Sequence, residues 1–315
     1  MFDADDLYVL PVDKWIQAGV QWMSQNLRPF FQTVKWPVEH LLGLIEHTLQ
    51  GIPFPVFVVL AGLIAWKLSS RGVALFTVVS LVVIAFTGVW TEAITTLALI
   101  TTAIVICVCI SVPIGILCAR SDAVWRIVRP VLDVMQTTPT FVYLVPIVMM
   151  FGVGTVPGEV AVIMAAAPPL IRFTNLGIRM VDKEMVEAGL AFGATGRQLL
   201  WEVQLPLAMP TILGGLNQTV LTAMVMSVVV AMIGAEGLGL VVLQGLGRLD
   251  VGRAAVGGLA IVLLAMTLDR ITQSLAKSKG GKGVSLRAVL LRLVGRQDDR
   301  AQPAVAGGST AQPTA

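Results

Sequence analysis

Long runs of apolar residues, each close to the thickness of a lipid bilayer, constrain this chain more than any other feature. Its 315 residues are 56% hydrophobic and only 13% charged, whereas soluble domains contain about 45–50% apolar and about 25% charged residues. Since a helix needs about 20 apolar residues to cross a membrane, the sequence predicts an all-α, polytopic membrane protein. Seven spans are predicted, at approximately 52–68, 73–90, 93–119, 139–153, 157–174, 206–233 and 254–271.

The lysine and arginine residues predict the orientation of these spans. If the N-terminus lies outside, 17 of the 22 basic residues fall on the inner side of the membrane. Loops rich in lysine and arginine stay on the cytoplasmic side. The sequence therefore predicts an N-terminus outside and a C-terminus in the cytoplasm.

The two ends of the chain differ from the spans between them. Residues 1–50 carry apolar side chains at helical spacing, which predicts amphipathic helices on the extracytoplasmic surface of the membrane. Residues 276–315 are basic and rich in glycine, a composition typical of a disordered cytoplasmic tail. Residues 51–275 are therefore predicted to form the transmembrane domain.

A charged, amphipathic segment at about 182–205 interrupts the apolar spans on the predicted cytoplasmic side. Apolar residues recur at three- and four-residue steps before Gly193, which predicts a short helix that this glycine ends. Thr195, followed three residues later by Gln198, predicts a capping box that opens a second helix. A short exposed helix of this kind is suited either to a groove on a soluble partner or to the lipid surface, and periodicity alone does not separate the two.

The same segment resembles the sequence pattern of permease subunits of bacterial ABC importers. That pattern is Glu-Ala-Ala, three residues, Gly, nine residues, Ile, one residue and Leu-Pro. The chain matches it from Glu187 to Pro206, with Gly189 in place of the second alanine and Val203 in place of isoleucine. The resemblance implies a loop that couples the chain to an ATPase. Its predicted coupling residues are Glu187, Ala188, Gly189, Phe192, Gly193, Ala194, Leu205 and Pro206.

Residues 90–275 resemble more closely the permeases of glycine betaine/proline betaine importers and of related choline importers. The likeness is carried by residues 135–157, 217–239 and 245–273. It implies the type I ABC importer permease fold in a bacterial inner membrane, with two copies of the chain forming the pathway. It also implies a cytoplasmic ABC ATPase that binds ATP and Mg²⁺, an extracytoplasmic substrate-binding protein, and a quaternary-amine solute such as glycine betaine, proline betaine or choline.

Aromatic and small polar residues inside the spans are candidates for lining a pathway. Aromatic faces attract quaternary ammonium groups through cation–π contacts, although such residues also serve in helix packing. The candidates are Phe141, Tyr143, Phe151, Asn217, Gln218 and Thr219.

The sequence predicts no catalytic, cofactor or metal site in the chain itself. It contains no G-x-x-x-x-G-K-[ST] phosphate loop, so we expect a transport subunit and not an enzyme. The two histidines, His40 and His47, are seven residues apart without further metal ligands nearby. No pattern indicates a nucleic-acid partner.

Three alternatives stay open at this point. A permease for another small solute, such as an organosulfonate or an amino acid, would carry the same coupling segment. An ion-coupled secondary transporter would show inverted repeats and charged residues near the membrane midplane. A scaffolding membrane protein would have no need of a coupling segment.

Overall fold

The computed structural model describes residues 11–279, and this part of the chain is built from helices without strands. The helices are α1 (Val12–Asn26), α2 (Arg28–Gln50), α3 (Phe54–Leu68), α4 (Arg71–Phe86), α5 (Trp90–Arg120), α6 (Asp122–Thr137), α7 (Thr140–Phe151), α8 (Thr155–Arg179), α9 (Lys183–Ala191), α10 (Gly196–Gln198), α11 (Leu205–Val229), α12 (Leu238–Gly247) and α13 (Val251–Lys279). A π-helical turn, Leu199–Gln204, joins α10 to α11, and a 3₁₀ turn, Val230–Ile233, follows α11. The predicted basic tail lies outside the described residues from position 280 onward.

All seven predicted spans fall on helices, but these helices differ in length. Four helical stretches, around α5, α8, α11 and α13, are long and apolar enough to cross a membrane. The predicted span at 73–90 corresponds to α4, which has 16 residues. The spans at 52–68 and 139–153 are the second arms of two bent pairs, α2 with α3 at 106° and α6 with α7 at 101°. Counting each bent pair as one span gives up to six crossings among residues 11–279, by length and composition.

Three of the long helices, α5, α8 and α11, form the centre of the bundle. Cys107 and Ser111 of α5 donate to the carbonyl oxygens of Ile163 and Ala167 of α8, so these two helices run in the same direction. A single connection through the bent pair of α6 and α7 makes this parallel arrangement possible. Helix α11 runs antiparallel to α8, and Thr219 donates to the carbonyl oxygen of Ala166 across that contact at 3.0 Å.

Helices α12 and α13 form an antiparallel hairpin beside this centre. Asp250 caps α13 by accepting a hydrogen bond from the Arg253 backbone N–H at 3.0 Å. Near the other end of α13, Ser274 donates to the carbonyl oxygen of Leu68 at 3.1 Å, which ties this helix to the end of α3. The polar ends of α3 and α13, each followed by basic residues in the sequence, therefore lie together.

The N-terminal segment contains two helices, as its periodicity predicted. Helix α2 packs along α5, with Val38 and Leu42 buried and Thr95 donating to Glu46 at 2.8 Å. Helix α1 contacts α7, where Ser24 donates to the carbonyl oxygen of Met149 at 3.0 Å. Trp15 and Trp22 of α1 stay exposed. The helices are therefore attached to the bundle, and their position on the membrane surface stays a prediction.

Candidate functional site

The segment between α8 and α11 forms the helix-turn-helix that the sequence predicted. Helix α9 ends in a Schellman motif: Ala194 N–H donates to the Gly189 carbonyl at 3.1 Å, and Gly193 N–H donates to the Leu190 carbonyl at 2.9 Å. Gly193 has φ +81°, a left-handed conformation that glycine adopts at little cost. The turn therefore satisfies the last carbonyl groups of α9 and reverses the chain.

The second half of this segment begins at the predicted capping box, which is confirmed. Gln198 N–H donates to Thr195 Oγ1 at 3.4 Å, and Thr195 N–H donates to Gln198 Oε1 at 2.9 Å. The π-helical turn then carries the chain into α11 without a break. A π-helical turn inside a longer helix is rare and frequently marks a functional region.

The two halves differ in how firmly they are held. Ala188, Phe192 and Gly193 are exposed, and Phe192 is 93% exposed. Leu199 and Leu200 are buried, and Leu200 packs in one cluster with Leu170, Ile178, Ala208 and Ile212 from α8 and α11. The segment therefore offers an exposed apolar helix while its other end is fixed in the bundle.

The remaining predicted coupling residues bridge these two environments. Leu205 and Pro206 are half-buried at the start of α11, where Leu205 packs against the cluster around Leu200. Gly189 lies close to Leu199, since a Cβ on Gly189 would stand 2.8 Å from Leu199 Cδ1. A displacement of α9 would therefore reach α11 through the Gly189–Leu199 contact and α8 through the Leu200 cluster.

Arg179 at the end of α8 joins the neighbouring helix ends beside this segment. Its guanidinium donates to the Cys118 carbonyl of α5 at 2.8 Å and pairs with the Asp122 carboxylate of α6 at 2.7 Å. Arg179, Arg120 and Lys183 also line a cavity of about 300 Å³ together with Glu187. The end of α8 that carries the coupling segment is therefore strongly basic, and Glu187 supplies a negative charge there.

The structure separates the candidate pathway residues into three groups. Tyr143 and Gln218 line one cavity of about 490 Å³. Phe141 is 55% exposed outside that cavity, and Phe151 packs edge-on against Phe31 with ring centroids 5.2 Å apart. The structure therefore brings Tyr143 and Gln218 together and leaves both phenylalanines elsewhere.

The other two candidates make hydrogen bonds between helices. Asn217 donates to Asp269 of α13 at 3.1 Å and accepts from Thr272. Thr219 is fully buried and bonds the carbonyl oxygen of Ala166. These contacts are those of residues that fix helices to each other.

Sequence reasoning missed two features of the bundle. Arg172 of α8 pairs with Asp133 of α6, Nη2 to Oδ1 at 2.5 Å. Glu159 is fully buried, and neither carboxyl oxygen has a hydrogen-bond partner among the described residues. The only signal for the ion pair was two opposite charges close to apolar spans, and nothing local indicated how deeply Glu159 is buried.

Replacing Glu159 with methionine is expected to stabilise the chain. A buried polar group without a partner costs about 1–3 kcal/mol, and an apolar side chain of similar size removes that cost. We expect the free energy of unfolding in detergent, measured by denaturant titration, to rise by about 1–2 kcal/mol. Replacing the exposed Glu39 with methionine is the control and should change it by less than about 0.5 kcal/mol. Destabilisation by Glu159→Met would mean that the carboxyl group has a partner in the folded protein.

Comparisons with known proteins identify the family of this chain. The family model of binding-protein-dependent transport system inner membrane components matches residues 111–280. The chain is 49% identical over 275 residues to the glycine betaine/proline betaine transport system permease protein ProW of Escherichia coli (strain K12), covering 87% of this chain and 78% of that protein. It is 41% identical over 279 residues to the glycine betaine transport system permease protein OpuAB of Bacillus subtilis (strain 168), covering 89% of this chain and 99% of that protein.

A solved structure matches the fold of the bundle. It is described as inward-facing conformations of the MetNI methionine ABC transporter, and one of its chains aligns with a TM-score of 0.54 and 22% sequence identity. The alignment covers 58% of this chain and 92% of the other. At this identity the likeness concerns the fold alone.

Proposed function

The chain belongs to the family of binding-protein-dependent transport system inner membrane components, and we propose that its solute is a quaternary amine of the glycine betaine type. It is a membrane-embedded permease subunit of an ABC importer. ProW and OpuAB, which both align over most of this chain, are named for glycine betaine or proline betaine. Their similarity supports glycine betaine or proline betaine as the solute of this chain, and the sequence resemblance to choline importers makes choline a further candidate.

The observation that carries the coupling role is the contrast between the two halves of the helix-turn-helix. Helix α9 exposes apolar side chains, whereas the turn after α10 is anchored in the cluster of α8 and α11. An exposed amphipathic helix fits a groove on a soluble partner. We propose that a cytoplasmic ABC ATPase holds α9 in this way and that ATP and Mg²⁺ bind to that partner.

The assembly around this subunit follows from the same proposal. Two copies of the chain enclose the pathway, and an extracytoplasmic binding protein delivers the solute. Nucleotide binding moves α9, and the motion reaches α8 and α11 through Leu199 and Leu200. A transporter of this kind alternates between two states that differ by a few kcal/mol, and ligand and nucleotide shift the population between them.

The orientation of the chain in the membrane is part of the proposal as well. The basic ends of α5 and α8 lie side by side through Arg179 and Cys118, and the ends of α3 and α13 meet through Ser274 and Leu68. The positive-inside rule assigns such ends to the cytoplasm. The coupling segment then faces the ATPase, and the turn between α4 and α5 faces outward.

Reconstitution tests this function directly. The permease is placed in proteoliposomes with its ATPase, and the binding protein is added outside with radiolabelled glycine betaine. We expect uptake that requires both the binding protein and ATP inside the vesicles, and competition by proline betaine. Uptake that an ion gradient drives without ATP would contradict the proposal and favour a secondary transporter. ATP-dependent uptake of only unrelated solutes would overturn the assigned solute and leave the coupling role intact.

A further inference from the structure

The cavity lined by Tyr143 and Gln218 is suited to a small polar solute. It has a volume of about 490 Å³ and lies between α7, α8, α11 and the end of α6. Pockets for small molecules span about 300–1,000 Å³ and combine apolar walls with a few polar groups. Here the walls include the aromatic rings of Tyr143 and Phe173, and the polar groups come from Gln218, Thr222 and Arg172.

The ion pair at this cavity has unused hydrogen-bonding capacity. Arg172 lines the cavity, and its Nη2 donates to Asp133 Oδ1 at 2.5 Å. A guanidinium group has five N–H donors, and Arg172 Nε is enclosed without an acceptor among the described residues. A second carboxylate beside Arg172 would therefore find donors, after a small shift of the side chain, without displacing Asp133.

The charges around this cavity are unevenly placed. Arg172 lines the cavity, whereas its partner Asp133 does not, and Asp133 also pairs with Arg129 at 3.9 Å. The cavity wall therefore carries one guanidinium beside aromatic and neutral polar side chains. A zwitterion can place its carboxylate at Arg172 and its cation on the aromatic rings, whereas a lone cation meets only the positive charge of Arg172.

We propose that this cavity is a binding site for a zwitterionic solute with a quaternary ammonium group and a carboxylate. The carboxylate binds Arg172. The ammonium group lies against the faces of Tyr143 and Phe173, where cation–π attraction applies. The inference rests on the proposed function and deepens it, because it selects glycine betaine and its zwitterionic relatives over choline, which has no carboxylate.

The position of the cavity along α8 indicates which half of the pathway the solute occupies. Arg172 precedes Arg179 by seven residues in α8, which is about 10 Å along the helix. Phe173 and Leu170 of α8 lie against Gly215 of α11, and Leu170 belongs to the cluster that anchors the coupling segment. The solute therefore binds in the half of the pathway nearest the coupling segment, where an occupied site touches the helices that α9 moves.

Protection of a single cysteine tests the site. Thr222 lines the cavity and is replaced by cysteine, while the exposed Cys109 is replaced by serine; Cys107 and Cys118 are buried. The complete complex of permease and ATPase in nanodiscs is treated with a small thiol reagent, without nucleotide or binding protein. We expect glycine betaine at about twice its dissociation constant to slow modification about threefold, because one third of the sites remain free. Choline at the same concentration should leave the rate unchanged, and acetate, which has no group for the aromatic rings, should slow modification less than glycine betaine does.

Two aromatic substitutions in α7 form a matched pair for this experiment. Tyr143→Ala should abolish protection, whereas Phe141→Ala should leave it intact, because Phe141 does not line the cavity. Arg172→Gln should also abolish it, and Arg172→Lys should restore part of it by returning the charge.

Other outcomes would overturn the inference. They are equal protection by choline, no saturable protection at any glycine betaine concentration, and protection that survives Tyr143→Ala and Arg172→Gln. The reconstituted uptake assay is run on the same protein, so a site that fails while uptake persists rejects the inference alone. Protection without uptake would instead reject the proposed function and keep the binding site.

Discussion

Replacing Gly193 with aspartate is expected to reduce ATP-driven uptake by at least about tenfold while the chain stays folded. Gly193 has φ +81°, and a Cβ there would meet no atom within 4 Å. Aspartate enters the left-handed region more readily than most residues, so the strain is about 1 kcal/mol or less. The large effect comes from the partner: a charged side chain would occupy the space in which we propose the ATPase groove closes over α9, and 1.4 kcal/mol of lost docking already changes binding tenfold.

Gly88 provides the matched control for this substitution. It has φ +75° and open space around its Cβ position, as Gly193 does. It precedes α5, a helix of 31 residues, so about 45 Å separate it from the end of α5 that lies beside the coupling segment. Gly88→Asp should therefore carry the same backbone strain and leave uptake near the wild-type level.

Measurements on both variants separate coupling from folding. Uptake and ATP hydrolysis are recorded in proteoliposomes, and membrane insertion is followed by the yield of monodisperse complex. We expect Gly193→Asp to lose uptake and the stimulation of hydrolysis by the loaded binding protein. Equal losses in Gly88→Asp would mean that strain alone is responsible. Normal uptake by Gly193→Asp would contradict the docking role of α9.

The features that sequence could predict here are local ones. The long apolar helices follow from composition over about 20 residues. The Schellman turn at Gly193 and the capping box at Thr195 follow from residues that contact each other within one or two helical turns. Each of these depends on neighbours in sequence, so the residue types carry enough information to place the element.

The features that sequence could not predict depend on distant contacts. Helices α6 and α7 meet at a bend of 101°. Composition alone does not show that the chain changes direction there. Asp133 and Arg172 are 39 positions apart in the chain, and their pairing follows only from how the bent pair crosses α8. The same holds for the cavity lined by Tyr143 and Gln218. Their residue types made them pathway candidates, but only the folded structure shows that they lie together. Helix α12 was missed because its apolar run has 10 residues, too few for a crossing.

Gly245→Ala is expected to destabilise the bundle by about 1–3 kcal/mol, the largest loss of stability among these substitutions. An added Cβ on Gly245 of α12 would stand 2.5 Å from the backbone nitrogen and 2.9 Å from the Cα of Ala254 in α13. These are backbone atoms of a packed helix, so no side chain can rotate away and the hairpin of α12 and α13 must separate.

Gly247→Ala in the same helix isolates the cause of that loss. A Cβ on Gly247 would meet no atom within 4 Å, and its φ is not positive. Alanine favours helices over glycine by up to about 1 kcal/mol, so Gly247→Ala should be neutral or slightly stabilising. Denaturant titration of the two purified variants in detergent compares their free energies of unfolding with that of the wild type. Similar values for both variants would mean that α12 and α13 are not in backbone contact at Gly245. A selective loss at Gly245 would instead show that this close approach, and not helix propensity, holds the hairpin against the centre of the bundle.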